Sequence, residues 1–307
     1  MRKIAAVVVT YNRCELLRRN IECLLNQKNA ECDIYIIDNA STDSTHEVVL
    51  AFHDERVHYF NTGSNLGCSG GFVYGLTRVL NEDYQFIWMM DDDTLPSDTA
   101  LSQFLDADEK LNGDWGAFSS AAYWLDGSVD NMARQKTGLF HRVSDKAVKS
   151  GEFVRLQACT FVSLLVKAEV MRDVGLPIAE YFIWTDDLEY TGRISRKYKL
   201  WLVTPSKVTH ARQENMRVNF ALDSSDRISR YKYIYRNDVH CYRQYGFKGW
   251  VYLAVKFAYT ALNILLHSKG QKLAKLGVLI NGYREGFSFH PEVRRITDGG
   301  GDSKITC

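Results

Sequence analysis

An apolar run that stops abruptly on polar or acidic residues recurs four times in the first 93 residues of this 307-residue chain. Ile4–Thr10 runs into Tyr11-Asn12-Arg13, Asp33–Asp38 into Asn39, residues 57–60 into Asn61, and residues 86–90 into Asp91-Asp92-Asp93. Continuous β-branched and aliphatic runs suit strands buried on both faces. Between them lie helical signals. Leu16, Leu17, Ile21, Leu24 and Leu25 share one helical face; a helix to about Phe52 follows the turn Asn39-Ala40-Ser41-Thr42-Asp43; another, to about Asn81, follows the glycine-rich stretch 63–75. Repeated strand–helix units predict an α/β fold: a mostly parallel sheet with helices on both faces. Such sheets bind ligands beyond the carboxyl ends of their strands, where Thr10-Tyr11-Asn12, Asp38-Asn39 and Asp91–Asp93 all stand.

The remainder is less regular. Strand-like patches occupy 117–124 and 153–166, helical character follows Thr185, and a short strand at 200–203 leads to His210. From about Asp226 the texture changes to basic, aromatic helices, and 298–307, with three consecutive glycines, reads as a flexible tail. The predicted organisation is an α/β domain over 1–212, halved near residue 95, then a helical segment over 213–297. Seven cysteines without a CxxC pair form neither a zinc pattern nor a disulfide framework, and favour a reducing compartment. The basic start Arg2-Lys3 precedes an apolar run shorter than the ~7–15 residues of a secretory core, so a cytoplasmic location is expected.

Asp91-Asp92-Asp93 ends a buried strand, where three adjacent carboxylates cost stability unless a cation or strong hydrogen bonds offset them. Alternation puts Asp91 and Asp93 on one side, and such hard oxygen ligands suit Mg²⁺ or Mn²⁺. His210 is acceptable to Mn²⁺ and would complete such a site; a lone histidine is more often simply packed. Trp184-Thr185-Asp186-Asp187-Leu188-Glu189 is a second acidic cluster. Thr185 or Asp186 reads as a helix cap with acids in the first turn; the same placement lets one carboxylate, its pKa raised by an aromatic wall, act as a general base. Asn65-Leu66-Gly67-Cys68-Ser69-Gly70-Gly71-Phe72 lacks the dinucleotide pattern, but its glycines permit close approach to a phosphate or sugar.

Taken in order, Val8-Val9-Thr10-Tyr11-Asn12-Arg13, Asp38-Asn39-Ala40-Ser41-Thr42-Asp43, Asn65-Leu66-Gly67, Asp91-Asp92-Asp93 and Asp186-Asp187 resemble the inverting family-two glycosyltransferases of GT-A fold, over roughly residues 3–212. The glycine-rich stretch, the triple aspartate and Phe182-Ile183-Trp184-Thr185-Asp186-Asp187-Leu188-Glu189-Tyr190 look most like bacterial galactofuranosyltransferases; rhamnosyltransferases using dTDP-rhamnose share the N-terminal pattern. The resemblance implies that Thr10, Tyr11, Asn12, Arg13, Asp38 and Asn65 hold the UDP of a UDP-sugar, with Asp92 facing the sugar or ribose. It implies Asp91, Asp93 and His210 as ligands of Mn²⁺ or Mg²⁺, and Asp187, beside Asp186, as the base on the acceptor hydroxyl. Trp184, Glu189 and Trp124 are the acceptor-side expectation. One departure is visible: Thr185 stands between Trp184 and the acid pair, where the galactofuranosyl enzymes carry the tryptophan directly before it. A non-catalytic sugar-nucleotide-binding module is the alternative from another class.

The formal net charge of +1 hides a division: residues 1–210 hold 22 Lys and Arg against 29 Asp and Glu, and residues 211–307 hold 16 against 8. The basic part lacks a nucleic-acid-reading motif, so nucleic acid is not an expected partner. Its stretch 250–266, interrupted by Lys256, is marginal for a membrane span and reads equally as an interfacial helix on an anionic leaflet or as part of a bundle packed on the α/β domain or on a second copy. A lipid-linked glycan acceptor would make membrane contact useful.

Overall fold

The computed structural model describes residues 3–215, 219–223 and 225–296, so the tail expected at 298–307 lies outside the described residues. Strands β1 (Ile4–Thr10), β2 (Asp33–Asp38), β3 (Val57–Asn61) and β4 (Phe86–Asp91) alternate with helices α1 (Cys14–Leu25), α2 (Thr45–Leu50) and α3 (Gly67–Val79). There follow β5 (Thr94–Pro96), α4 (Ala100–Lys110), β6 (Ala117–Tyr123), the short α5 (Asp145–Val148), β7 (Phe153–Leu156), β8 (Leu164–Lys167), α6 (Ala168–Val174), α7 (Asp186–Ser195) and β9 (Leu200–His210). The chain ends in α8 (Tyr231–Arg243), α9 (Gly246–His267) and α10 (Lys272–Ser288).

All nine strands form one sheet in the order β3-β2-β1-β4-β8-β6-β9-β5, with β7 also on β9. The expected α/β class holds. Its parallel part is the β3-β2-β1-β4 half, while β8 joins β4 antiparallel and the second half mixes both directions. Helical crossovers join the parallel strands of the first half, whereas β8 comes back beside β4 in the opposite direction only after the excursion through β5, β6 and β7. Two apolar layers, one on each face, pack the helices onto the sheet, and a third, separate core lies among α8, α9 and α10.

Two expectations change. The glycine-rich stretch is largely helix: α3 begins at Gly67 and carries Gly70, Gly71 and Gly75. A Cβ on Gly71 would come within 2.7 Å of Val9, and one on Gly75 within 2.7 Å of Val7, so these glycines let α3 lie directly on β1. The strand near 200 is also longer than expected, running unbroken to His210. Its register against β6 shifts between Ser120 and Ala121, a bulge that admits Pro205 within the strand.

Candidate functional site

The register of the parallel half sets the first wall of the site. Thr10 pairs with Asp38, Val9 with Asp91 and Asp38 with Asn61, so the strands end level and their polar residues share one rim. The Thr10 hydroxyl donates to Asp92 Oδ2 at 2.8 Å, and Arg13 Nη1 bridges Asp92 Oδ1 (3.1 Å) and Asp93 Oδ2 (2.8 Å). Asp38 is buried and accepts from the Ser41 amide (2.8 Å) and the Tyr59 hydroxyl (2.6 Å). Asn12, in the left-handed region at φ 54°, accepts from the Thr42 amide, which ties the β1 loop to the β2 loop. Tyr11 stands exposed on this rim, and Asn65 accepts from the Gly67 amide at the start of α3.

Strand β5 then brings the histidine. Thr94 lies opposite His210 in the β5–β9 ladder, and the Ala211 amide donates to the Asp93 carbonyl. His210 Nε2 thereby sits 3.2 Å from Asp93 Oδ1, while its Nδ1 donates to buried Asp130 at 2.5 Å. Burial alone would push Asp93 up, yet His210 and Arg13 hold it down at about 2. Against the cost of burial, Asp130 and Asp93 lift His210 to about 9. Asp91 and Asp92 go the other way. Burial first, then neighbouring carboxylates, push Asp91 to about 6; burial also lifts Asp92 to about 7, with Arg13 opposing.

The residues suit a divalent ion in kind. Asp93 Oδ1 is buried without a hydrogen bond beside an imidazole nitrogen, and the Asp130–His210 pair is the carboxylate–histidine arrangement that orients a ligating ring. Among the described residues, no three His, Cys, Asp or Glu side chains converge on one point; Asp91 instead accepts from the Cys68 thiol at 3.6 Å. Two protein ligands are nevertheless the usual number where phosphate oxygens complete the shell.

The second acidic pair approaches from the opposite wall. The backbone before it is strained: Phe182, Trp184 and Thr185 all have φ between 64° and 66°. A non-glycine residue held there costs on the order of 1–3 kcal/mol. What holds the loop is α8. The Asn237 side-chain amide donates to the Tyr181, Ile183 and Trp184 carbonyls at 2.9–3.1 Å, and Asp238 accepts from the Thr185 hydroxyl and from Lys256 of α9. Thr185 therefore precedes α7 without capping it through its side chain. On the other side, the loop meets the start of α3: the Ser69 amide donates to the Phe182 carbonyl, and its hydroxyl to Asp186 Oδ2 at 2.6 Å. Only glycine fits at 67, because a Cβ would lie 2.3 Å from the Phe182 oxygen.

Asp187 is pushed up to about 8, by burial first and then by the charges of Asp186 and Asp91; Asp186 is raised by burial, with Ser69 opposing. A carboxyl tuned to that range is suited to taking a proton from a hydroxyl. The remaining sequence candidates point elsewhere. Glu189 forms a buried ion pair with Arg193, Trp184 packs against Tyr231 of α8, and the Trp124 indole donates to the Arg212 carbonyl. Sequence reasoning missed Asp130, for which no local pattern exists. Asn237-Asp238 did leave a trace, as an amide and an acid in an otherwise basic, aromatic helix.

The sequence model of glycosyl transferase family 2 matches residues 5–160. Galactofuranosyltransferase GlfT1 of Mycolicibacterium smegmatis is 28% identical over 199 residues, which cover 63% of this chain and 65% of that protein. The GalNAc(5)-diNAcBac-PP-undecaprenol beta-1,3-glucosyltransferase of Campylobacter jejuni is 33% identical over 108 residues, 34% of each chain. The chain thus spans just under two thirds of the length of the GlfT1 relative. Among solved structures, S. aureus TarS matches with a TM-score of 0.54 at 13% identity, over 94% of this chain and 44% of that one. Its 1–349 form in complex with UDP matches at 0.52 and 14% identity, over 94% and 72%. At that identity the likeness is one of fold.

Proposed function

The chain belongs to glycosyl transferase family 2, and on that premise we propose that it moves galactofuranose from UDP-galactofuranose, with inversion, to a hydroxyl of a lipid-linked bacterial glycan. The observation that carries this reading is the facing of two acidic groups across the start of α3: Asp91–Asp93 on the strand-end rim and Asp186-Asp187 on the strained loop. Similarity to GlfT1 supports the choice of donor sugar, and the undecaprenol-linked relative supports a lipid-linked acceptor.

In this reading the rim formed by Thr10, Tyr11, Asn12, Arg13, Asp38 and Asn65 receives the UDP, and Asp92 faces the ribose or sugar. Arg13 already spans Asp92 and Asp93, so donor binding would exchange part of that pairing for diphosphate. Asp93 and His210 would hold Mn²⁺ or Mg²⁺, with diphosphate oxygens completing the shell, and the ion when bound would supply positive charge to the leaving diphosphate. Asp187 accepts the proton of the acceptor hydroxyl as its oxygen bonds to the anomeric carbon. The bond from that carbon to the diphosphate oxygen breaks, and its electron pair leaves with UDP. Asp186, tied to Ser69, keeps the α7 start against α3 during the displacement. One displacement with no covalent intermediate inverts the anomeric centre.

The test combines a variant with a donor screen. Asp187→Asn should abolish transfer while UDP binding, measured calorimetrically, stays nearly intact. In the wild type kcat/KM should rise with pH toward about 8, where the base loses its proton. Transfer from UDP-galactofuranose but not from UDP-galactopyranose, UDP-glucose or dTDP-rhamnose is the expected donor pattern. Full activity of the variant would remove Asp187 from its role; preference for dTDP-rhamnose would move the chain to the rhamnosyl branch.

A further inference from the structure

Helix α9 is built inside out for a protein in water. Phe247, Trp250, Val251, Val255, Leu262 and Leu265 follow helical spacing along its outer face and are all exposed. Its inner face buries Gly249, Leu253 and Ile264 against the other two C-terminal helices. Helix α10 continues the pattern, with exposed Leu273, Ile280 and Phe287 spaced by seven residues on one side. Trp250 stacks on Phe287 at 5.7 Å between ring centres, so the two stripes join into one apolar surface. A water-facing helix ordinarily carries its polar residues outward, and contiguous exposed apolar surface marks a contact.

We infer that the α9–α10 hairpin seats this protein on an anionic lipid bilayer, lying in the plane of the interface rather than crossing it. Charge selects the occupant. Residues 246–288 contain six Lys or Arg and one acid. Exposed Lys248 stands at one end of the apolar stripe, and exposed Lys269 and Lys272 stand at the other. A second copy docked through the same face, in either orientation, would set these lysines against one another. Anionic headgroups neutralise them, at about 1 kcal/mol for each basic residue near the surface. Trp250 and Tyr259 on that face are of the kind that settles at headgroup depth.

Length alone would allow a span, since α9 has 22 residues and an 18-residue stretch within it has mean hydropathy 1.4. The inner face forbids it. Lys256, near the midpoint of α9, is bound to Asp238, and Asp238 holds Thr185. Crossing the bilayer would break that chain of contacts and strand Lys256 in hydrocarbon. Lying flat keeps both sides satisfied. Helix α8, which grips the loop bearing Asp186 and Asp187, then sits directly above the seat.

This inference does not depend on which sugar is moved, so its test is separate from any donor assay. The full chain is sedimented with vesicles of phosphatidylglycerol and phosphatidylcholine, and with phosphatidylcholine alone, at moderate salt. Binding is expected to the anionic vesicles, with a blue shift of tryptophan emission. Replacing Lys269 and Lys272 together by Gln should weaken it roughly thirtyfold, and Leu262→Glu on the exposed stripe should abolish it while UDP binding persists. Failure to bind the anionic vesicles, or equal binding to phosphatidylcholine alone, would overturn the inference. So would a dimer that Leu262→Glu converts to monomer in a protein that does not sediment with lipid.

Discussion

At the scale of single residues, the acidic run is three adjacent carboxylates in two opposed electrostatic states. Asp93 is held ionised by His210 and Arg13, while burial pushes Asp91 and Asp92 toward neutrality. The sequence placed these residues beside one another; their difference comes from partners 80 and 117 positions from Asp93, Arg13 and His210. Asp130 completes this arrangement by accepting from His210 Nδ1, which turns Nε2 toward Asp93. Asp130→Asn keeps the acceptor oxygen but removes the charge, and should lower Mn²⁺ affinity in the presence of UDP by about 10–100-fold. Titration calorimetry reads this without turnover. Unchanged affinity would reduce Asp130 to a packing role.

At the scale of elements, the loop before α7 carries strain that its own sequence does not relieve. Three left-handed residues cost roughly 1–3 kcal/mol each, and the contacts from Asn237 and Asp238 return about 1 kcal/mol apiece, more where a charge takes part. The loop keeps its shape because α8 supplies those contacts. Asn237→Ala would remove the bonds to the Ile183 and Trp184 carbonyls and let the loop relax away from α3. A displacement of about 1 Å can cost on the order of a hundredfold in rate, so kcat should fall by that order with donor KM nearly unchanged. If kcat and KM move together, or if only thermal stability changes, α8 is scaffolding. The sequence offered Lys256 as an interruption in an apolar stretch; the structure makes it the partner that fixes Asp238.

At the scale of the whole molecule, the acidic α/β domain and the basic helical segment are joined through polar contacts as well as packing. The Tyr181 hydroxyl lies 2.6 Å from His240 Nδ1, and burial, then nearby Arg243, depresses His240 to about 4, so the ring is neutral and accepts. The unfolded chain, with an ordinary histidine, binds more protons than the folded one between about pH 6.5 and 4. This contribution is present above pH 6.5 and is lost as pH falls through that window. The raised carboxylates Asp91, Asp92 and Asp187 act with the opposite sign, so the informative quantity is a difference. Denaturant unfolding of wild type and His240→Gln should show the stability gap narrowing as pH drops from 6.5 to 4. A gap that stays constant would mean that His240 is not the group being protonated.

The strand ends, the order of the polar clusters and the α/β class were all legible in the linear chain, because burial of a strand on two faces demands a continuous apolar run and its end demands something polar. The charge division at His210 was legible too, since it is a property of composition. Only the folded chain decided which carboxylates pair with which cations, that the glycine-rich stretch is helix, and that an amide in α8 holds the acid loop. Those outcomes depend on contacts between residues tens to more than a hundred positions apart, and neither periodicity nor spacing encodes which distant partner a side chain will meet. The apolar face of α9 shows the same boundary: its hydrophobicity is written in the sequence, but which half of it would face outward was settled by the packing of Lys256 and Leu253 on the inside.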